Sequence, residues 1–199
     1  MDDFSIETHP FAPVLPPHAR VMMMGTFPPA AAKRCMAFHY PNFQNDMWRI
    51  YGLVFFNDAG HFQVAGEKRF DAGKIRDFLM AHNIALCPTV RRAVRERGNA
   101  SDKFLRIVEP VDLGAVLAQL PDCRWLFTTG GKATETLLSL LEPAPPMPPV
   151  NQAVAFDYHG RHLQLCRLPS SSRAYPLTLA AKAAAYRAFF ERSGVLPLS

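Results

Sequence analysis

The chain has 199 residues, 49% hydrophobic and 20% charged, which suits one compact domain spanning 1–199 with a full core and excludes a disordered polymer. The longest uncharged run near the start, 21–32, is broken by Gly25, Pro28 and Pro29 and falls short of the ~20 apolar residues a membrane span needs. The acidic start MDDFSIETHP does not read as a signal peptide, so a soluble cytoplasmic protein without a membrane partner is expected.

The formal net charge of +5 and pI near 9.2 point modestly to a polyanionic partner. Cys35, Cys87, Cys123 and Cys166 lie far apart with no Cys-x-x-Cys pair, so no zinc, iron–sulfur cluster or other cofactor is expected and buried, reduced thiols are.

In chain order, ARVMMMG (19–25) is a short apolar run that stops at Gly-Thr-Phe-Pro-Pro, the pattern of a buried strand emptying into a loop. NDMWRIYGLVFF (45–56) follows as a helix, with Asn45 or Asp46 as its cap. DAGKIRDFLMAHN (71–83) is a second helix, capped by Asp71 and striped by Ile75, Phe78 and Leu79. IALC (84–87) reads as another buried strand, closed by Pro88.

The chain then turns basic, with Arg91, Arg92, Arg95 and Arg97 in quick succession within an expected loop, 87–102. Helices starting at Asp102 and Asp112 lead to the strand RWLFTT (124–129), the turn Gly130-Gly131 and the helix KATETLLSLL (132–141). A proline-rich connector, EPAPPMPP (142–149), precedes an alternating hairpin around His159-Gly160, and an amphipathic helix ends at Gly194. This order predicts a three-layer α/β sandwich with a mainly parallel central sheet flanked by helices. Ligands bind such sheets at the carboxyl ends of the strands, here the loops 25–45, 87–102 and 168–178.

Those loops carry no GxGxxG, and the GxxxxGK[ST] pattern fails because Ala133 follows Lys132; HExxH and GxSxG are absent as well. What they carry instead is small residues, aromatics, amides and arginines. Gly25 permits close approach to the main-chain N–H groups of Thr26 and Phe27, and Tyr40 and Phe38 offer faces on which a flat base can stack. LPSSSRAYP (168–176) supplies Ser170, Ser171, Ser172 and Arg173, groups suited to phosphates.

MMMGTFPP, FHYPNFQNDMW, FTTGGKA and LPSSSRAYP, in this order and spacing, resemble the uracil-DNA glycosylase superfamily, nearest to its mismatch-specific and hypoxanthine branches. The resemblance runs from Val21 to Tyr186 and implies a four-stranded parallel sheet between helices. It also implies an enzyme that flips a deaminated base, uracil or hypoxanthine, out of DNA and hydrolyses its N-glycosidic bond. The fixed dipoles of such a site face the departing base, and a held water attacks the sugar.

The first motif, 25–29, has Phe27 where the mismatch-specific branch has Asn. The hypoxanthine branch also has Phe there and uses an Asn before the aromatic pair of the next motif, which Asn45 matches. The resemblance thus makes Asn45 the first catalytic candidate, with Asp46 beside it the second. It places Gly25, Thr26, Phe27 and Tyr40 at the base, and Gly130, Lys132, Ser170, Ser171, Ser172 and Arg173 at the DNA backbone. Asp46 stands where the family often has Gln or Arg, and Pro88 where the hypoxanthine branch has Asp.

Bland roles compete with each of these. Asn45 is a good helix cap, a carboxylate such as Asp46 complements a helix dipole, aromatics are commonly core, His39 is expected to face solvent, and the arginine run can be a solvated face. The alternative function is a catalytically silent nucleic-acid or nucleotide-binding module of the same fold, with a nucleoside hydrolase-like enzyme behind it.

Overall fold

The computed structural model describes residues 5–96 and 102–199. Its centre is a five-stranded sheet in the order β3 (Ile84–Leu86), β2 (Val21–Met24), β6 (Trp125–Thr129), β8 (Arg161–Leu168), β7 (Ala153–Tyr158). The first four run parallel, and β7 is added antiparallel at the edge as the other arm of the β8 hairpin. The four-stranded parallel sheet is therefore present, with one edge strand more than the resemblance implies. The hairpin turns at His159 (φ 48°) and Gly160 (φ 76°), successive left-handed residues whose twist suits a two-residue connection.

Alternation along the buried strands explains the three layers, because successive side chains point to opposite faces. Val21 and Met23 of β2 join Ile84, Leu86 and Phe127 in a core under the helices α1 (Met47–Phe56), α2 (Ala72–Ala81) and α5 (Leu179–Arg192). Met22 and Met24 join Ala85, Leu126, Leu163 and Leu165 in a core with residues of α3 (Leu113–Ala118) and of α4 (Gly131–Leu138). All four β2 side chains are fully buried, which is why the strand reads as an unbroken apolar run.

Two expectations are corrected. The basic stretch after Pro88 is not a loop: it contains β4 (Val90–Arg95), the middle strand of a separate antiparallel sheet between β1 (Ile6–Thr8) and β5 (Leu105–Pro110). Val90, Ala93 and Leu105 bury a small core of their own against Phe27 and Ile107, but register shifts break the alternation of β4, so neither period nor composition marked it as a strand. The segment expected to open a helix at Asp102 is a single 3-10 turn, 102–104, leading into β5. Arg97 lies outside the described residues. Among the described residues no helix is long and apolar enough to cross a membrane, and no group of three His, Cys, Asp or Glu is placed to hold a metal ion.

Asp71 caps α2 as the sequence predicts, accepting the N–H of Lys74, and Asp112 and Thr178 likewise accept the N–H groups of Ala115 and Ala181. Asp71→Ala leaves the N–H of Lys74 unpaired and is expected to cost about 1 kcal/mol, read as a shift in urea unfolding with an unchanged denaturant slope.

Candidate base-binding site

At the carboxyl ends of β2, β3, β6 and β8 lies a cavity of about 460 Å³. Its walls come from the loop after β2 (Gly25 to Pro29), from His39 to Asn42 with Asn45, from Leu86 and Pro88, from Thr129, and from Ser170 to Ser172. Of the candidates read from the sequence, Gly25, Thr26, Phe27, Tyr40, Asn45, Ser170, Ser171 and Ser172 are brought together here. Asp46, Arg173, Gly130 and Lys132 are not on the wall.

Tyr40 holds a left-handed backbone (φ 52°), uncommon for a bulky residue, and its hydroxyl is 2.7 Å from the Thr129 hydroxyl at the end of β6. That bond and the edge-on contact with Trp48 hold the ring upright over the end of the sheet. Gly25 makes this arrangement possible, since a Cβ there would run into the Tyr40 hydroxyl. Phe38 does not join Tyr40 in the cavity; it is fully buried against Trp48, a correction to its expected stacking role.

Asn45 caps the helix start and also lies on the cavity wall. Its Oδ1 accepts the N–H of Met47 at 2.9 Å, the first turn of α1, while the residue lines the cavity. Asp46 is the N-cap by position but its side chain makes no capping bond. Its carboxylate is buried and held by Lys182 Nζ at 2.9 Å, with the Arg173 guanidinium at 3.5 Å. A carboxylate so engaged ties the start of α1 to α5, and it is not on the cavity wall.

Lys182, 1% exposed on α5, also donates to the Ser172 carbonyl at 2.8 Å, and the Asp46 N–H donates to the Ser171 carbonyl at 2.9 Å. The start of α1 and the serine loop are thereby tied to α5 as one unit. Sequence reasoning missed Lys182 because a lysine in an alanine-rich amphipathic helix looks solvent-facing.

The larger omission is the N-terminal segment. His9 and Phe11 line the cavity, carried there by β1 pairing with β4, by the His9 N–H donating to the Arg91 carbonyl, and by a reciprocal backbone bridge between Val14 and Leu86. His39, expected in solvent, is buried and donates from Nε2 to the Ala12 carbonyl at 2.8 Å. The His9 ring is 5.4 Å from that of His39 and meets Phe27 edge-on at 5.3 Å. The only sequence signal was the cluster THPFAP, whose long-range destination no local pattern reveals.

Burial lowers both imidazoles, His9 to about 3 with help from neighbouring His39, and His39 to about 4. The basic strand, by contrast, is largely neutralised: Arg91 and Arg92 lie 3.6 and 3.5 Å from Glu109, and Arg95 lies 3.1 Å from Glu7. Closer to the cavity are Arg34, whose Nε donates to the Pro29 carbonyl, and the exposed Arg173. Lys132 sits in the first turn of α4 after the positive-φ Gly130, whose backbone approaches Ser170.

The sequence matches no protein-family model and no curated protein. Among solved structures it resembles a solution NMR structure described as "a putative Uracil DNA glycosylase from Methanosarcina acetivorans", with a TM-score of 0.65 and 21% identity over 96% of this chain and 99% of that one. The chain has a uracil-DNA glycosylase-like fold. In that glycosylase-like frame the cavity occupies the place where open α/β sheets bind ligands, at the strand ends.

Two measurements probe this site. Lys182→Met strands the buried Asp46 carboxylate and is expected to lower stability by about 3–5 kcal/mol, whereas Lys182→Met combined with Asp46→Leu recovers most of the loss. Both histidines are neutral when folded and charge on unfolding, so between about pH 6.5 and 4 the unfolded state binds more protons. Stability is present in full above 6.5 and falls as pH drops toward 4, by on the order of 1.4 kcal/mol per pH unit for each ring. Chemical denaturation across that range shows a slope that is reduced in His39→Gln.

Proposed function

We propose that the chain is a monofunctional DNA glycosylase that receives one deaminated base, uracil or hypoxanthine, in the cavity and hydrolyses its bond to the sugar. The observation that carries the reading is the convergence of Asn45, Tyr40, the residues after Gly25 and the serine loop on a cavity of about 460 Å³, with Arg173 next in the chain. A base stacked inside a duplex cannot reach a cavity recessed among these loops, so it must leave the duplex to enter.

Inside, the ring of Tyr40 offers a face on which the base stacks. The N–H groups of Thr26 and Phe27 supply dipoles that need no reorganisation as the departing base gains negative charge. Asn45 cannot act as a base, since a carboxamide does not take up a proton at neutral pH. It orients the attacking water: Met47 fixes its Oδ1, which retains a second lone pair, and its Nδ2 donates. The water oxygen bonds to C1′ as the glycosidic bond breaks, the bonding pair leaves with the base, and the water's proton passes to the base or to solvent. Ser170, Ser171 and Ser172 with Arg173 hold the strand around the vacated position, and Lys132 with Gly130 lies beside them for a further phosphate.

A second reading is favoured by one observation. Asp46, the carboxylate nearest to Asn45 in the chain, is locked to Lys182, and the two histidines on the wall are weak bases, as a silent base-binding module would tolerate. Duplex and single-stranded oligonucleotides carrying uracil, hypoxanthine, xanthine or mismatched thymine, treated with the protein and then alkali, separate the two. Strand breaks at uracil or hypoxanthine, reduced roughly 10²-fold or more in Asn45→Ala, support the enzyme. Salt-dependent binding with no breaks at any base replaces it with the module.

A further inference from the structure

We infer that His9 and His39 form a neutral donor–acceptor pair that reads the hydrogen-bonding edge of the bound base and selects the lactam edge of a deaminated base over the amidine edge of its parent. The inference rests on the proposed base-binding role of the cavity and assigns the residues that set its specificity.

The tautomer of each ring is fixed from outside the cavity. His39 Nε2 lies 2.8 Å from the Ala12 carbonyl, which can only accept, so Nε2 carries the proton and Nδ1 is left as an acceptor. His9 Nδ1 lies 3.2 Å from both the N–H and the carbonyl of Phe11. The Phe11 N–H has no other acceptor, and a proton on Nδ1 would face it directly, so Nδ1 accepts and Nε2 carries the hydrogen. Backbone groups of one short segment, 11–12, thus set opposite polarities on two rings 5.4 Å apart.

Both free atoms open onto the cavity. His9 Nε2 and His39 Nδ1 have no partner within the protein, both residues line the wall, and no buried side-chain nitrogen or oxygen among the described residues lacks a partner. Elsewhere on this side the wall is apolar: Leu86 and Pro88, at the end of β3, have no side-chain hydrogen-bonding group. Burial keeps both rings uncharged, so the pair persists across the neutral range.

The edge this pair complements has a carbonyl oxygen next to a ring N–H. Uracil and hypoxanthine both carry it: His9 Nε2–H donates to the carbonyl and His39 Nδ1 accepts the ring N–H. In cytosine and adenine the same two positions hold an amino group and a bare ring nitrogen. A base held by its sugar in the same orientation would then set N–H against N–H and lone pair against lone pair, and unpaired polar groups in a desolvated pocket are costly.

The test uses the full chain and four variants. His39→Gln keeps the amide donor to Ala12 and removes the acceptor, and His39→Asn keeps an acceptor near the Nδ1 position. His9→Asn keeps the contact with Phe11 and removes the donor, and His9→Gln keeps a donor near Nε2. Imidazole 15N shifts are followed while free uracil, hypoxanthine, cytosine and adenine are titrated in, and binding of oligonucleotides carrying each base is measured in parallel with excision.

The expected result is a shift of His9 Nε2 and His39 Nδ1 with uracil or hypoxanthine and none with the parent bases. The ratio of deaminated to parent binding should fall about tenfold or more in His39→Gln and His9→Asn, with smaller losses in the other two. Unmoved imidazole signals, or a ratio unchanged in both key variants, overturn the assignment even if the wild type excises bases. Shifts and selective binding without excision uphold it while the enzymatic reading fails.

Discussion

The site depends on one buried ion pair. Lys182 on α5 reaches Asp46 at the start of α1 and the Ser172 carbonyl in the loop after β8, so three segments distant in sequence share a single ammonium group. Two charges withdrawn from water cost several kcal/mol each, and their attraction returns that only when the geometry is good and the remaining hydrogens are used. Here two of the three ammonium hydrogens are used, one on the carboxylate and one on the carbonyl, with the Asp46 N–H held by the Ser171 carbonyl in addition. The gain of such a pair is therefore placement more than stability. Asn45 and the serine loop are neighbours because Asp46 and Lys182 cannot be apart.

The second constraint comes from the other side of the cavity. The N-terminal segment crosses the strand ends, tied to β3 through Val14 and Leu86, to β4 through β1, and to the loop after β2 through His39 and Ala12. It brings His9 and Phe11 to a wall that would otherwise be open, and it partly buries two imidazoles. Within the small sheet that carries it, Arg91 and Arg92 share Glu109 and Arg95 pairs with Glu7. Arg95 also reaches the wall, donating to the Pro28 carbonyl and lying over the Phe27 ring, while Arg34 and Arg173 come from loops.

Most of the large sheet was legible in the sequence. Short apolar runs bounded by Gly and Pro gave the parallel strands, Asp71 and Asp112 marked helix starts, and His159-Gly160 marked the hairpin. Much of the cavity wall was legible too, because loops at strand carboxyl ends converge whatever their composition. Less legible was anything whose meaning depends on a distant partner. The β4 strand was masked by its broken alternation, Phe38 and His39 were misplaced by a loop that turned out to be packed, and Asp46 read as chemically free until Lys182 was seen beside it.

By itself the sequence determined the element order, the parallel α/β layering and the short list of loops able to hold a ligand, since these follow from periodicity, caps and turns that act within a few residues. Tertiary structure alone decided which groups face the cavity. It turned Tyr40 in and Phe38 away, locked Asp46 to α5, and delivered His9 with His39 as two neutral rings of fixed polarity. The physical reason is that burial, tautomer and pairing are properties of a side chain's three-dimensional neighbours, and those neighbours lie as many as 136 positions away along the chain.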